Sequence, residues 1–85
     1  MGKYDKLFAN ILSGRNNKSI RFSELTHLLR AMGFSERIKG DHYIYHRQGI
    51  EEILNLQPDA SQAKAYQVKQ IRNVILKYNL EAPNA

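Results

Sequence analysis

The sequence predicts an α+β domain in the order α-α-β-β-β-α, a three-stranded antiparallel sheet with helices packed on one face. Three observations carry this. Apolar residues recur at helical spacing in two N-terminal segments and again near the C-terminus. Between them, Tyr43-Ile44-Tyr45 and the run from Ile50 to Gln57 have strand-forming composition. Gly40-Asp41 and Gln48-Gly49 fall where short turns join such strands into a meander.

Tyr4, Leu7, Phe8, Ile11 and Leu12 form the stripe of a first amphipathic helix, stopped by Gly14 and the polar run Arg15-Asn16-Asn17-Lys18. A second helix carries Phe22, Leu25, Leu28, Leu29 and Met32, with Ser23 as the expected N-cap and Gly33 supplying the left-handed residue that ends it. Strands are expected at about Ser35 to Lys39 and His42 to Arg47, with Gly at the first central position of the Gly40-Asp41 turn. A third runs from Ile50 to Gln57, and adjacent Ile53 and Leu54 imply either a bulge or burial on both sides. Pro58-Asp59 ends it. Val68, Ile71, Val74, Ile75 and Tyr78 mark a last helix from about Tyr66 to Tyr78, with Ser61 as the cap of an earlier start.

Eighty-five residues accommodate one domain with one core. Hydrophobic content of 42% and charged content of 25% are globular values, which argues against a disordered tail or a rod. The net charge of +5 biases the chain toward polyanions, either nucleic acid or an acidic protein surface. That charge is uneven. Arg15 to Arg47 holds seven Lys and Arg against three acids, whereas Gln48 to Ala85 is balanced at four each. With no Cys, a disulfide framework and a thiolate zinc site are excluded, and a reducing compartment, the cytoplasm, is the expectation. The start Met1-Gly2-Lys3-Tyr4-Asp5 lacks a signal-peptide core and the apolar runs are short, so no membrane association is expected. No glycine-rich phosphate loop is present, so no nucleotide cofactor is indicated.

The reactive inventory reduces to three His. His27 falls off the apolar stripe of the second helix and reads as a solvent-facing residue. His42 and His46, four apart on one strand, stand about 13 Å apart at roughly 3.3 Å per residue, which argues against a shared metal ion. His42 adjoins the Gly40-Asp41 turn, with Lys39 across the hairpin and Arg37 on the same strand as Lys39, so an imidazole and cations converge where a phosphate would sit. An isolated His near a hairpin is, by itself, more often structural. If Ile44 is core, His42 sits at the core's rim, and Tyr43 and Tyr45 point the other way. There they either stack on unpaired bases beside Arg47 or pack across strands. Lys69 and Arg72, three apart on the last helix, are candidates for gripping flanking phosphates, with solvated charge as the ordinary alternative.

From Phe22 to Leu80 the chain resembles the HicA family of toxin components, small messenger-RNA-cleaving endoribonucleases of toxin-antitoxin pairs. The carriers are Leu28-Leu29-Arg30-Ala31-Met32-Gly33-Phe34, Lys39-Gly40-Asp41-His42-Tyr43-Ile44-Tyr45-His46, Leu54-Asn55-Leu56-Gln57-Pro58 and Tyr66-Gln67-Val68-Lys69-Gln70-Ile71-Arg72. The resemblance implies one HicA-like domain over residues 1–85, with a core over 22–80 and residues 1–21 as an N-terminal helical extension. It implies a fold like that of double-stranded RNA-binding domains, and His42 as the catalytic residue of a Gly-Ser-His motif. The middle residue here is Asp41 and the second His that often follows is Tyr43. A carboxylate at that place either repels RNA or orients the His42 ring.

The implied activity is metal-independent cleavage of messenger RNA. His42 would act as base or acid, Arg37 and Lys39 would stabilise phosphorane charge, and Tyr43, Tyr45, Arg47, Lys69 and Arg72 would bind RNA. The implied protein partner is a HicB-type antitoxin, and no metal or other cofactor is called for. The alternatives are a non-catalytic RNA-binding module and a protein-interaction domain with the same fold.

Overall fold

The computed structural model describes residues 2–15 and 20–83. Met1, Lys18 and the Asn16-Asn17 part of the helix-stopping run lie outside the described residues. The observed order is α1 (Asp5–Ser13), α2 (Phe22–Ala31), β1 (Ser35–Lys39), β2 (His42–Arg47), β3 (Ile50–Leu56) and α3 (Ala65–Tyr78). The strands form one antiparallel sheet in the order β1-β2-β3, as the sequence predicts.

Local chemistry sets the boundaries. Gly14, with φ +71°, ends α1. The second helix begins one residue before Phe22's neighbour Ser23: Arg21 is the N-cap, and the Glu24 carboxylate accepts its backbone N–H at 3.2 Å. Ser23 therefore does not cap. At the other end Gly33 (φ +90°) allows the N–H of Phe34 to reach the Leu29 carbonyl at 3.1 Å and that of Gly33 to reach Arg30 at 3.0 Å, a Schellman closure. Lys64 precedes α3, and its N–H donates to Gln67 Oε1 at 3.2 Å, so the earlier start at Ser61 is not used. Asn79 (φ 52°) takes the left-handed place after α3.

Gly40 alone carries positive φ in the first hairpin turn, and Lys39 pairs with His42. In the second hairpin, Arg47 pairs with Ile50 but Tyr45 pairs with Leu54, so three residues of β3 oppose His46 alone. Of the two readings of adjacent Ile53 and Leu54, the bulge is the one observed: Leu54 is buried and Ile53 is 62% exposed.

All three helices cover one face of the sheet. Phe22, Leu25, Leu28 and Leu29 from α2, and Val68, Ile71, Val74 and Ile75 from α3, meet Tyr45, Leu54 and Leu56 in one core. Phe8 and Ile11 of α1 belong to the same core. The segment before α3 folds back to the start of α2, where Phe22 N–H donates to Ser61 and Ala63 N–H to Ile20.

Which strand residues face the helices differs from expectation. Tyr45 is fully buried, and the Tyr43 ring packs edge-on against Phe22 at 4.9 Å between centroids. His42, Ile44 and His46 therefore point to the opposite, helix-free face. The cause lies in cross-strand pairing: Tyr43 and Tyr45 stand opposite Leu56 and Leu54, and burying two rings with two leucines outweighs burying Ile44.

Candidate functional site: the open face of the sheet

The open face is built by register. Residues directly opposite in an antiparallel pair share a face. Lys39 pairs with His42, Arg37 with Ile44, and Ser35 with His46 on one side; Asn55 pairs with Ile44 on the other. Arg37, Lys39 and His42 are exposed, and neither the Arg37 nor the Lys39 side chain makes a hydrogen bond or ion pair with the described residues. The sequence-predicted trio is thus brought together on one surface.

His42, whose side chain is 50% exposed, stands between two partners. Its Nδ1 lies 3.2 Å from Asn55 Oδ1, and its Nε2 lies 3.7 Å from Asp41 Oδ1. Asn55 Oδ1 only accepts, so the contact is a hydrogen bond in the ring form that carries a proton on Nδ1. Asp41 is itself tethered. Gln57 Nε2 donates to Asp41 Oδ2 at 2.6 Å, and this hydrogen bond, more than the neighbouring charges, holds the Asp41 carboxyl below its ordinary value. Gln67, fully buried on α3, donates in turn to the Gln57 carbonyl at 2.9 Å. A chain of contacts therefore runs from the core through Gln57 and Asp41 to the imidazole. At 3.7 Å the Asp41 carboxylate is beyond hydrogen-bond distance of Nε2 and forms an ion pair with the ring only when the ring is protonated.

The remaining predicted RNA-binding residues are placed elsewhere. Tyr45 is a correction. Its ring is in the core and its hydroxyl donates to Glu36 Oε2 at 2.6 Å, so it offers no platform for a base. Burial, then Glu36, pushes its hydroxyl pKa well up, and it stays protonated. Tyr43 is half-buried on the helix side against Phe22 and does not flank His42 on the open face. Arg47 lies at the far end of β2, its guanidinium 6.0 Å over the Phe34 ring. Lys69 and Arg72 lie on α3, which packs on the helix-covered face of the sheet, whereas His42 is on the open one. Lys69 is exposed, whereas Arg72 Nη1 donates to the Ile11 carbonyl at 3.3 Å and ties α3 to α1.

Asn55, Gln57 and Lys64 are the residues that sequence reasoning did not assign to the site. Lys64, beside the start of α3, is close enough to contribute to lowering the Asp41 carboxyl. The signal for Asn55 is its place between Leu54 and Leu56, which puts it on the face the leucines leave. Among the described residues no group of three or more His, Asp or Glu is placed to hold a metal ion, and no helix is long and apolar enough to cross a membrane. No protein-family model, no curated protein and no solved structure matches the chain.

Proposed function

We propose that the chain is a HicA-like toxin component, a metal-independent endoribonuclease that cleaves messenger RNA and is held in check by a HicB-type antitoxin covering the open face. The observation that carries this reading is His42: an exposed imidazole on the helix-free face of the sheet, fixed at Nδ1 by Asn55, with Lys39 and Arg37 beside it. In the proposed reaction Nε2 exchanges a proton with the ribose 2′-hydroxyl or the leaving oxygen, a contribution of about 10² to 10⁴ in rate. Lys39 and Arg37 offset the charge that develops on the phosphorane. Asp41, restrained by Gln57, lies beside Nε2 of the imidazole.

A second reading, RNA binding without cleavage, is favoured by one feature: both ring nitrogens of His42 face protein groups, as they would in a purely structural hairpin contact. Incubating the purified protein with RNA separates the two. The ribonuclease reading expects new fragments ending in 2′,3′-cyclic phosphate, formed in the presence of a chelator and lost in His42→Ala. Uncut RNA that is bound equally by both proteins supports the binding reading, and cleavage that a chelator abolishes and added metal restores contradicts the mechanism.

A further inference from the structure

His46 continues the row that begins with His42. It faces the same side of β2 at a distance of about 13 Å, given roughly 3.3 Å per residue. It is exposed, and its side chain has no hydrogen-bond or ion-pair partner among the described residues. Around it lies a depression of about 750 Å³ whose walls include Ser35, Arg47, Gln48, Glu51 and Ile53. Ser35 stands directly opposite His46 across β1 and β2. The β3 bulge brings three residues against His46 alone, which is why Glu51 and Ile53 both reach its surroundings.

The composition of this depression discriminates between ligands. The imidazole and the exposed Ile53 offer flat and apolar surface suited to the face of an aromatic ring. Ser35 and Gln48 offer both donors and acceptors for a ring edge. Glu51 disfavours a phosphate in the depression and suits an exocyclic amine, while Arg47, positioned by Phe34, marks the rim. A base paired inside a duplex cannot present its face to a side chain, whereas an unpaired base can. Arg37, opposite Ile44, lies between the depression and His42, and Lys39 stands opposite His42 itself, so a nucleic-acid backbone passing from one to the other would meet both cations.

We infer that His46, with Ser35, Gln48 and Ile53, forms a subsite for one unpaired base of a single-stranded RNA whose backbone runs along β2 to His42. This rests on the ribonuclease reading for the place of the scissile phosphate. The subsite replaces the Tyr43 and Tyr45 platform that the sequence predicts, and it makes unpaired RNA the substrate class.

The test uses the full chain carrying His42→Ala, which prevents cleavage, and a fluorescein-labelled ten-nucleotide single-stranded RNA followed by anisotropy at fixed salt. Adding His46→Ala is expected to weaken binding about tenfold, the loss of one stacked base. His46→Phe in the same background is expected to restore most of the affinity, because the ring face and not its charge carries the contact. A duplex of the same sequence is expected to bind without sensitivity to position 46. Equal affinity with and without His46→Ala overturns the subsite, as does a duplex that is equally sensitive to it. Sensitivity to position 46 in a protein whose wild type never cuts RNA retains the subsite and removes the ribonuclease reading; no RNA binding at all removes both.

Discussion

On β2 the rings of Tyr45 and His42 leave opposite sides of one strand, and each makes a side-chain hydrogen bond whose removal has a distinct consequence. Tyr45→Phe removes the hydroxyl that meets Glu36, itself bridged by Arg30 at 2.8 Å. We expect a loss of about 1 kcal/mol in urea unfolding, with RNA cleavage unchanged. Loss of cleavage without loss of stability would instead return Tyr45 to the RNA surface. Asn55→Ala leaves His42 Nδ1 without its acceptor. Nitrogen NMR of the imidazole is then expected to show a mixture of neutral tautomers where the wild type shows the Nδ1–H form, and cleavage is expected to fall about tenfold or more. An unchanged tautomer would contradict the orienting role of Asn55.

The parity of β2 was legible in principle. A two-residue turn at Gln48-Gly49 puts odd positions of β2 opposite even positions of β3, which groups Tyr43 and Tyr45 with Leu54 and Leu56. Reading Ile44 alone as the core residue misses this, because the decision belongs to the strand pair and not to one strand. The tethers from Asn55, Gln57 and Gln67 had no such signal, since each depends on side chains separated by 10 to 16 positions in sequence.

At the scale of elements, the two ends of α3 are fastened differently. At its start, Gln67 accepts from Lys64 N–H and donates to the Gln57 carbonyl while fully buried. Gln67→Ala leaves both backbone groups without that partner. It is expected to cost about 2 kcal/mol or more and, by freeing Gln57 and Asp41, to lower cleavage as well. At its end, Tyr78 donates to Glu52 Oε1 at 2.6 Å and Lys77 to Glu52 Oε2 at 2.9 Å. These contacts, Tyr78 first, hold the Glu52 carboxyl at about 2 against an ordinary 4.5.

A carboxyl depressed on folding contributes stability above its unfolded value, and that contribution is lost as pH falls through 4.5 toward about 2. Between pH 6 and 2 the thermal midpoint of the wild type is therefore expected to fall further than that of Glu52→Gln. Parallel curves would show that the Glu52 contacts contribute nothing in solution. The C-terminus of α3 was legible to the residue, because Tyr78 closes the apolar stripe, and the N-terminus to within one, at Ala65 against an expected Tyr66; the Lys64-Gln67 contact that fixes it is a weaker sequence signal than Ser61.

For the molecule as a whole, α1 joins the core through Phe8 and Ile11, and Arg72 binds its last turn. The resemblance covers only residues 22–80, yet the hydrophobic interior does not end there. Ile11, with no exposed surface, gives a direct test. Ile11→Ala is expected to cost about 2 to 5 kcal/mol while unfolding stays a single transition by fluorescence and circular dichroism. Separate transitions would make α1 an appendage. The segregation of the molecule into a helix-covered face and an open one leaves His42, Lys39 and Arg37 on the open side, and the fold order itself was legible from three helical stripes and two turns.

His42-dependent cleavage is tested by growth after induced expression of the wild type and of His42→Ala, with total RNA from each culture mapped for new ends. Arrest and cleaved messenger RNA are expected in the wild type alone. Equal arrest and equal cleavage in the two cultures would contradict this by removing the chemistry from His42.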